Sequence, residues 1–177
     1  MKTNEEYKEY FIYGGAFSLL NEEEKTKQAS IIYIQEHGDL SEVPDNLIDE
    51  ELCYSYIKKD GYLCKVPVKY QTTELCNLFL DKNNIKKIDN LQLRFVEYVK
   101  NNGKIANVPD KYKTTDLLNV WLDILCVSKD DDINKRMFKF VDEKLDEWNS
   151  LPEFYKTKEL QQYFEKKINI EKFTLSS

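Results

Sequence analysis

The sequence predicts an all-α fold: an α-solenoid-like stack of about seven repeats of about 22 residues with one helix each, or helical hairpins of about 43 residues. Three observations predict it. A ten-residue segment at 66–75 returns at 108–117, returns more loosely at 151–160, and has a first version at 43–52. Helical segments end at glycine, and inside them the apolar residues are spaced as on one face of a helix. Such fixed-period self-similarity is typical of stacked repeats.

Residues 1–19 are predicted to form an N-terminal cap helix, because they are rich in aromatic residues and the pair Gly14-Gly15 interrupts the pattern. Residues 20–165 are expected to hold the repeats, including degenerate copies that lack the proline. Residues 166–177 are expected to form a C-terminal tail. No linker rich in Ser, Gly or Pro divides the chain, so a single domain is predicted.

Each well-formed repeat is expected to begin at a Val-Pro or Leu-Pro pair. Proline fixes its own φ and pushes the preceding residue towards an extended conformation, so a helix cannot run through the pair. A residue suited to N-capping stands shortly afterwards in each copy, and these predicted N-caps are Asp49, Thr72, Thr114 and Thr157. An acidic residue follows in the first turn of each helix, where it complements the helix dipole.

The ends of the helices are predicted from glycine. A glycine just past a helical pattern favours a left-handed residue that terminates the helix, which is the conformation expected at Gly38, Gly61 and Gly103. Asn84 stands where a further copy needs the same conformation, and Asn adopts it more readily than most residues. The helices are therefore expected to be short and separated by connectors.

A small residue recurs in the connector between the glycine and the Val-Pro pair, and it predicts a tight contact with a neighbouring element. These residues are Ser41, Cys64 and Ala106.

The four cysteines form no C-x-x-C pair, so neither a zinc site nor a thioredoxin-type motif is predicted. Cys53 and Cys76 occupy the position that Leu118 fills in another copy, which predicts buried structural thiols rather than reactive ones.

The string Val-Pro-x-x-Tyr-x-Thr-x-Glu-Leu-Cys, followed by an aromatic-aliphatic helix and Asn-Gly or Asp-Gly, resembles a short helical repeat that occurs in tandem in proteins of AT-rich bacteria and large viruses. The best matches are residues 43–80 and 108–122, and degenerate copies extend the likeness over roughly residues 20–165. The resemblance implies a helical array and no particular activity, because that family is known as a domain of unknown function. The prolines missing near residues 88 and 130 depart from the pattern and imply an irregular superhelix there.

Composition and charge restrict the class of protein. The chain is 41% hydrophobic and 33% charged, as in ordinary globular proteins. It contains no apolar run of the roughly 18–20 residues needed to cross a bilayer and begins without the apolar stretch of a secretory signal, so we expect a cytoplasmic protein. The net charge of −6 is divided unevenly: residues 1–57 sum to −9, residues 58–113 to +6 and residues 114–177 to −3.

No catalytic motif accompanies the repeats. His37, the only histidine, occupies the position that Asp60 and Asn102 fill in other copies, which favours a solvated helix end over a catalytic role. The aspartate run at 130–132 lacks the alternating ligands, the glycine and the final Glu of an EF-hand, and it favours a helix-capping loop. Glycine-rich nucleotide motifs are absent from the sequence. We therefore predict a protein that is not an enzyme and uses no cofactor or metal.

Two sets of residues are candidates for contacting a partner. Lysines at consecutive helix ends would align along one edge of a stack, and these are Lys58, Lys59, Lys82, Lys86, Lys87 and Lys100. The alternative for them is solvated helix surface, and the scarcity of Arg together with the pI of about 5.0 disfavours nucleic acid. Tyr54 and Tyr62 fall off the apolar pattern, which indicates exposed contact residues.

The leading hypothesis is a non-catalytic protein-interaction module, an inhibitor or adaptor that binds another protein through one face of the repeats. One version is a phage-type inhibitor of a host defence nuclease or ribonucleoprotein, whose nucleic-acid channel would receive the acidic residues Glu22, Glu23, Glu24 and Glu50. A first alternative is RNA, DNA or phosphate binding by the lysine stripe. A second is an enzyme with carboxylates and tyrosines in a groove. The identity of the partner and the oligomeric state stay open.

Overall fold

The computed structural model describes residues 2–102 and 104–174, with backbone alone for Asn102 and residues 171–174. The chain divides into two compact units, Met1–Lys87 and Ile88–Ser177. Unit 1 contains α1 (Asn4–Ile12), α2 (Lys27–His37), α3 (Glu50–Lys58) and α4 (Thr73–Lys82). Unit 2 contains α5 (Leu91–Asn102), α6 (Thr115–Ile124), α7 (Ile133–Glu143) and α8 (Lys158–Thr174).

The all-α prediction is confirmed, since the described residues form helices and turns and no strand. Helix α1 ends just before Gly14-Gly15, as the sequence predicts, and α2 to α8 supply one helix for each of the seven expected repeats. Helix α8 continues from the last repeat into the expected tail as far as Thr174. The solenoid-like stacking and the single domain stay predictions. None of the described helices combines the length and the apolar character needed to cross a membrane.

Five of the helices are preceded by two consecutive 3-10 turns, and this recurring order of elements corresponds to the sequence repeat. The pairs of turns are Phe17–Leu19 and Glu22–Glu24, Leu40–Glu42 and Asp45–Leu47, Leu63–Lys65 and Val68–Tyr70, Ile105–Asn107 and Asp110–Tyr112, and Leu145–Ser150 and Glu153–Tyr155. They lead into α2, α3, α4, α6 and α8 respectively. The first pair has no proline, yet it folds in the same way.

Two buried side chains hold each pair of turns against the core. The first lies in the first turn and is Phe17, Leu40, Leu63, Ile105 or Trp148 in successive copies. The second lies just before the second turn and is Leu20, Val43, Val66, Val108 or Leu151. Because full burial of one aliphatic side chain contributes roughly 1.5–3 kcal/mol, these anchors explain why the connectors between helices are ordered.

The predicted N-caps are confirmed. The side chains of Asp49, Thr72, Thr114 and Thr157 each accept a hydrogen bond from the backbone N–H three residues ahead. Thr26 does the same at the start of α2, where no proline signals a repeat. Each cap satisfies a backbone donor that the first helical turn leaves without a partner, and is worth about 1 kcal/mol.

The helix ends differ in part from expectation. Gly38 and Asn84 adopt the predicted left-handed conformation, with φ of 71° and 58°. At the end of α3 the left-handed residue is Asp60, with φ of 66°, so the assignment of this role to Gly61 is wrong. Gly61 is needed for a different reason, because a Cβ there would lie 2.5 Å from the ring of Tyr56. The prediction for Gly103 falls outside the described residues.

The connectors do not make the tight contact expected at their small residues. Ser41, Cys64 and Ala106 are all exposed, so that prediction is wrong. In each of these connectors the aliphatic residue immediately before the small one is buried instead. Cys53 and Cys76 are completely buried, as predicted, and burial raises the pKa of the Cys53 thiol to about 11.

An ion pair closes the second 3-10 turn in three of the five copies. The pairs are Glu22 with Lys25, Asp110 with Lys113, and Glu153 with Lys156, at 2.5–2.6 Å. The lysine side chains are only 8–18% exposed, whereas the carboxylates face solvent. In the copy that has Val68 in place of the acid, the lysine is also replaced, and the Gln71 amide donates to the carbonyls of Leu63 and Val66. Lys25, Lys113 and Lys156 therefore each stabilise the 3-10 turn that they follow.

Candidate functional site

A groove in unit 2 offers a concave surface for a ligand, with a volume of about 530 Å³. We call it the Phe154 groove. Its walls come from the start of α6, the first turns of α7, and the turn that leads into α8. The lining residues are Lys113, Thr114, Thr115, Leu118, Ile133, Asn134, Met137, Phe138, Phe154, Tyr155, Thr157 and Leu160. The volume lies within the range of ordinary ligand sites.

The lining is apolar with neutral hydrogen-bonding groups at its edges. Lys113 is its charged residue, but the ammonium group is bound to Asp110 at 2.5 Å and the side chain is only 8% exposed. The hydroxyl of Thr157 accepts from the backbone N–H of Leu160 at 3.2 Å and keeps a lone pair available. The groove therefore favours an uncharged ligand surface.

Tyr155 forms part of the wall and is fixed in place. Its hydroxyl donates to the backbone carbonyl of Thr114 at 3.2 Å, which ties the turn before α8 to the turn before α6. Burial, together with the charge of Asp110, raises the pKa of Tyr155 well above its usual value. The phenol thus stays protonated at neutral pH and acts as a hydrogen-bond donor, not as a base.

Elsewhere in unit 2, the helix and the turn that correspond to α7 and the turn before α8 are joined by direct contacts. In the same unit, the amide of Gln92 on α5 donates to the carbonyl of Tyr112 and to the hydroxyl of Thr114, both at 3.1 Å. The ring of Phe95 packs on Tyr112 with centroids 5.0 Å apart. We call this set of contacts the Gln92 interface. It joins the start of α5 to the turn before α6.

The corresponding contacts between α7 and the turn before α8 are missing. Asn134 and Met137 stand 42 residues after Gln92 and Phe95 and occupy their positions on α7. Asn is one methylene shorter than Gln, and within the described part of the chain no hydrogen bond joins the Asn134 amide to the turn. Met137 offers a thioether chain where Phe95 offers a ring. Asn134, Met137 and Tyr155 all line the Phe154 groove.

Phe154 stands at the edge of this space and departs from the repeat pattern. Its equivalents in the other four copies are Glu23, Asn46, Lys69 and Lys111, all polar or charged. The phenyl ring is 54% exposed and contacts Tyr155 edge-on, with centroids 5.2 Å apart. An exposed ring in an otherwise polar position, at the mouth of an apolar groove, is typical of a contact surface.

The sequence-predicted lysines are only partly available as a positive surface. Lys82 pairs with Asp60 at 2.8 Å and also donates to the Lys58 carbonyl, and Lys87 pairs with Asp81 at 3.0 Å. The ends of α3 and α4 therefore do meet, but Asp60 compensates the charge of Lys82. All six lysines are exposed residues, including Lys87, whose side chain is 80% accessible, and Lys100 belongs to unit 2.

The other predicted contact residues are similarly mixed. Tyr62 is 51% exposed, while Tyr54 is half-buried, with the ammonium of Lys58 5.8 Å from its ring centre. Glu22 and Glu24 hold their own turn through Lys25 and Lys2, at 2.6 Å and 2.5 Å. Glu23 and Glu50 are exposed and do not hold a turn through an ion pair.

His37 and the aspartate run have structural roles. The His37 ring stacks on Tyr33, with centroids 5.3 Å apart, and its Nε2 contacts the carbonyl of Phe11, so it fastens α2 to α1. Asp132 caps α7, and Asp130 pairs with Lys139 at 2.9 Å, in agreement with the predicted capping loop. Among the residues that the structure describes, no group of three or more His, Cys, Asp or Glu side chains is arranged to hold a metal.

The reasoning from sequence missed Phe154, Asn134 and Met137. The signal was present, because each differs in size or polarity from the residue at the same position of another copy. A scan against protein-family models, a search of curated proteins and a search of solved structures each found no match to the chain.

Proposed function

We propose that the protein is an interaction module that binds a polypeptide segment of a partner protein in the Phe154 groove. The proposal depends on one observation: the exposed ring of Phe154 stands at the edge of a groove. At the equivalent position between α5 and the turn before α6, the Gln92 interface joins helix and turn directly. A repeat that departs from its own pattern by opening a groove and adding an aromatic rim is suited to recognition.

The chemistry of the lining favours apolar side chains from the partner. One aromatic side chain removes about 150–250 Å² from water on burial, which is worth roughly 4–6 kcal/mol before costs. Lost translational and rotational freedom costs a similar amount on association, so the groove alone supports weak, reversible binding. Further contacts at Phe154 are then needed for a tighter complex.

Two observations favour binding over the alternatives. Catalysis needs titratable groups that converge in the site, whereas Lys113 is held by Asp110 and Tyr155 by Thr114. A phosphate ligand needs several cations that converge, and the carboxylate partners of Lys82 and Lys87 reduce the positive charge that the candidate lysines offer. Inhibition of a nuclease through acidic residues would use a different surface, because the accessible candidates Glu23 and Glu50 belong to unit 1 and the groove to unit 2.

The test uses a displayed library of random peptides selected on the wild-type protein. The double variant Asn134→Gln/Met137→Phe restores the residues of the Gln92 interface and should narrow the groove beside Tyr155. We expect selected peptides to bind this variant at least about tenfold more weakly, and Phe154→Ala to weaken them similarly, a change of about 1.4 kcal/mol. Far-UV circular dichroism and thermal unfolding check that both variants remain folded.

The matched control is Leu93→Ala, which removes another apolar side chain of unit 2 that is also 54% exposed. It should leave peptide affinity within about twofold of wild type. Selected peptides that bind both the double variant and Phe154→Ala as tightly as wild type would overturn the proposal. So would a selection that yields no binder.

A further inference from the structure

The chain contains one Asp-Gly pair, Asp60-Gly61, which lies directly after the last residues of α3. An Asp-Gly sequence is chemically labile, because glycine has no side chain to hinder attack of its backbone nitrogen on the preceding carboxyl group. The other aspartates of the chain are all followed by residues that carry a side chain. Asp60 is therefore the aspartate whose sequence most favours modification.

The reaction of such a pair is isomerisation through a cyclic imide. The backbone nitrogen of Gly61 attacks Cγ of Asp60, so a C–N bond forms and closes a five-membered succinimide, while the carboxyl oxygen leaves as water with the amide proton. Water then adds to the ring and breaks one of its C–N bonds. Cleavage of one bond restores aspartate, and cleavage of the other leaves isoaspartate, in which the main chain runs through the β-carbon.

In the structure the attacking nitrogen is occupied. The N–H of Gly61 donates to the carbonyl of Tyr56 at 2.9 Å, and Gly61 is buried. The ring of Tyr56 lies so close that a Cβ on Gly61 would come within 2.5 Å of it. Because the nitrogen attacks only after this hydrogen bond breaks and the peptide turns, the bond and the ring together hold the pair in an unreactive geometry.

The carboxylate of Asp60 is held as well. Its side chain is 82% exposed, but one oxygen lies 2.8 Å from the ammonium of Lys82 on α4. The same ammonium donates to the carbonyl of Lys58 and so fastens the last turn of α3. Because an exposed ion pair contributes little free energy, Lys82 modulates the reaction and the packing of Gly61 supplies most of the protection.

We infer that Asp60 is a latent modification site: the folded end of α3 suppresses its isomerisation, and isoaspartate, once formed there, destabilises unit 1. The additional main-chain carbon displaces Gly61, beside which the ring of Tyr56 leaves no spare room. It also alters the left-handed residue, with φ of 66°, that ends the helix. The inference concerns unit 1 and is independent of the Phe154 groove.

The experiment incubates the whole protein at neutral pH and measures isoaspartate at Asp60 by peptide mapping with electron-transfer mass spectrometry. A synthetic peptide of residues 54–65 gives the rate in the absence of the fold. The signal must be assigned by site, because Asn102-Gly103 also yields isoaspartate after loss of ammonia. We expect the protein to react at least about tenfold more slowly than the peptide, since the reaction requires local opening of the end of α3.

Two lysine variants test the contribution of the ion pair. Lys82→Met should raise the rate at Asp60 by about two- to fivefold. Lys87→Met is the matched control, because Lys87 also pairs with an aspartate, Asp81 at 3.0 Å, and this change should leave the rate unaltered. Asp60→Glu should abolish the signal at this site, since glutamate would need a larger ring. Far-UV circular dichroism checks that the variants are folded.

Equal rates in the folded protein and in the peptide would overturn the inference. Equal rates in Lys82→Met and Lys87→Met would overturn the part of it that assigns protection to Lys82. Aged protein that contains isoaspartate at Asp60 should unfold at a lower temperature than fresh protein, whereas Asp60→Glu aged in the same way should lose less stability. An identical loss in both would overturn the destabilisation of unit 1.

Discussion

Arg136 on α7 forms an ion pair with Asp123 at the end of α6, with Nη2 2.5 Å from the carboxylate, although the guanidinium is almost completely buried. The same group donates to the carbonyl of Val127 at 3.3 Å and to Asn119 at 2.8 Å. One side chain therefore fixes the end of α6, the connector after it and the start of α7. Arg94, the only other arginine, occupies the equivalent position on α5 and is also buried.

Replacement of Arg136 by Lys should destabilise unit 2 by about 2–3 kcal/mol, because an ammonium cannot reproduce the planar set of donors and leaves buried carbonyls without partners. Trp121 and Trp148, the two tryptophans of the chain, both lie in unit 2, so urea unfolding followed by Trp fluorescence reports this unit. Lys135→Ala, an exposed neighbour, should stay within about 0.5 kcal/mol of wild type. A similarly small effect of Arg136→Lys would contradict the role assigned to the guanidinium.

Cys126→Gly should stabilise unit 2 by up to about 1 kcal/mol. Cys126 is exposed and has φ of 57°, a conformation that strains any side chain with a Cβ and that glycine adopts readily. Cys64→Gly is the matched control, because Cys64 is also exposed but lies in a 3-10 turn with ordinary φ, so this change should destabilise. Thermal midpoints measured under reducing conditions compare the two, and a lower midpoint for Cys126→Gly would refute the expectation.

Gly61→Ala should cost unit 1 about 1–3 kcal/mol, since the new methyl group would collide with the ring of Tyr56. In a Tyr56→Leu background the same change should cost less than about 1 kcal/mol, and the double-mutant cycle measures the difference. Gly38→Ala should cost about 1 kcal/mol in both backgrounds, because its penalty comes from the left-handed φ of 71°. Equal costs of Gly61→Ala with and without the Tyr56 ring would show that the contact is unimportant.

The acid sensitivity of unit 1 should depend on Asp49. The ammonium of Lys27, aided by the backbone N–H of Leu52, holds the pKa of this carboxyl below its usual range. Because the folded-state pKa is lowered, the stabilisation is present above the unfolded value of about 3.9 and is lost as the pH falls through the folded value. The free-energy difference between wild type and Asp49→Asn should thus be constant from about pH 6 to 5 and shrink below about pH 4.

Asn at this position still caps α3, so the comparison isolates the charge of Asp49. Urea unfolding followed by far-UV circular dichroism at each pH measures it. Glu50→Gln, which changes an exposed carboxylate in the same turn, should alter the pH profile little. If the difference in unfolding free energy between wild type and Asp49→Asn is the same at low and neutral pH, the ion pair of Asp49 with Lys27 does not cause the acid sensitivity.

The positions of the helices were predictable because each rests on local signals. Proline stops a helix, a Thr or Asp side chain begins the next, and the apolar spacing continues to its end, as at Thr72 and Thr114. The ends were harder to predict. Gly61 has the sequence of a left-handed cap, but its role is to make room for a ring five residues earlier, and only the folded helix brings the two together.

The candidate site was harder still to predict, because it is a difference between copies and not a motif. Asn134 and Met137 are ordinary helix residues when read alone, and they become informative only beside Gln92 and Phe95. Phe154 appeared as one more aromatic residue of a repeat until its position was compared with Lys111 and the other polar equivalents. A comparison of size and polarity at each equivalent position would have singled out these three residues from sequence, whereas the lysine stripe is a pattern of charge alone.

The ion pairs that close the second 3-10 turns also affect how the protein reacts with reagents that modify lysine amines. Lys113 and Lys156 keep their ammonium groups against Asp110 and Glu153 and their methylene chains covered. Acylating reagents and trypsin need an extended, accessible lysine, so both should leave these two residues untouched while modifying or cleaving at exposed ones such as Lys59. Mass spectrometry of partially labelled protein would then mark the intact turns by the lysines that stay unmodified.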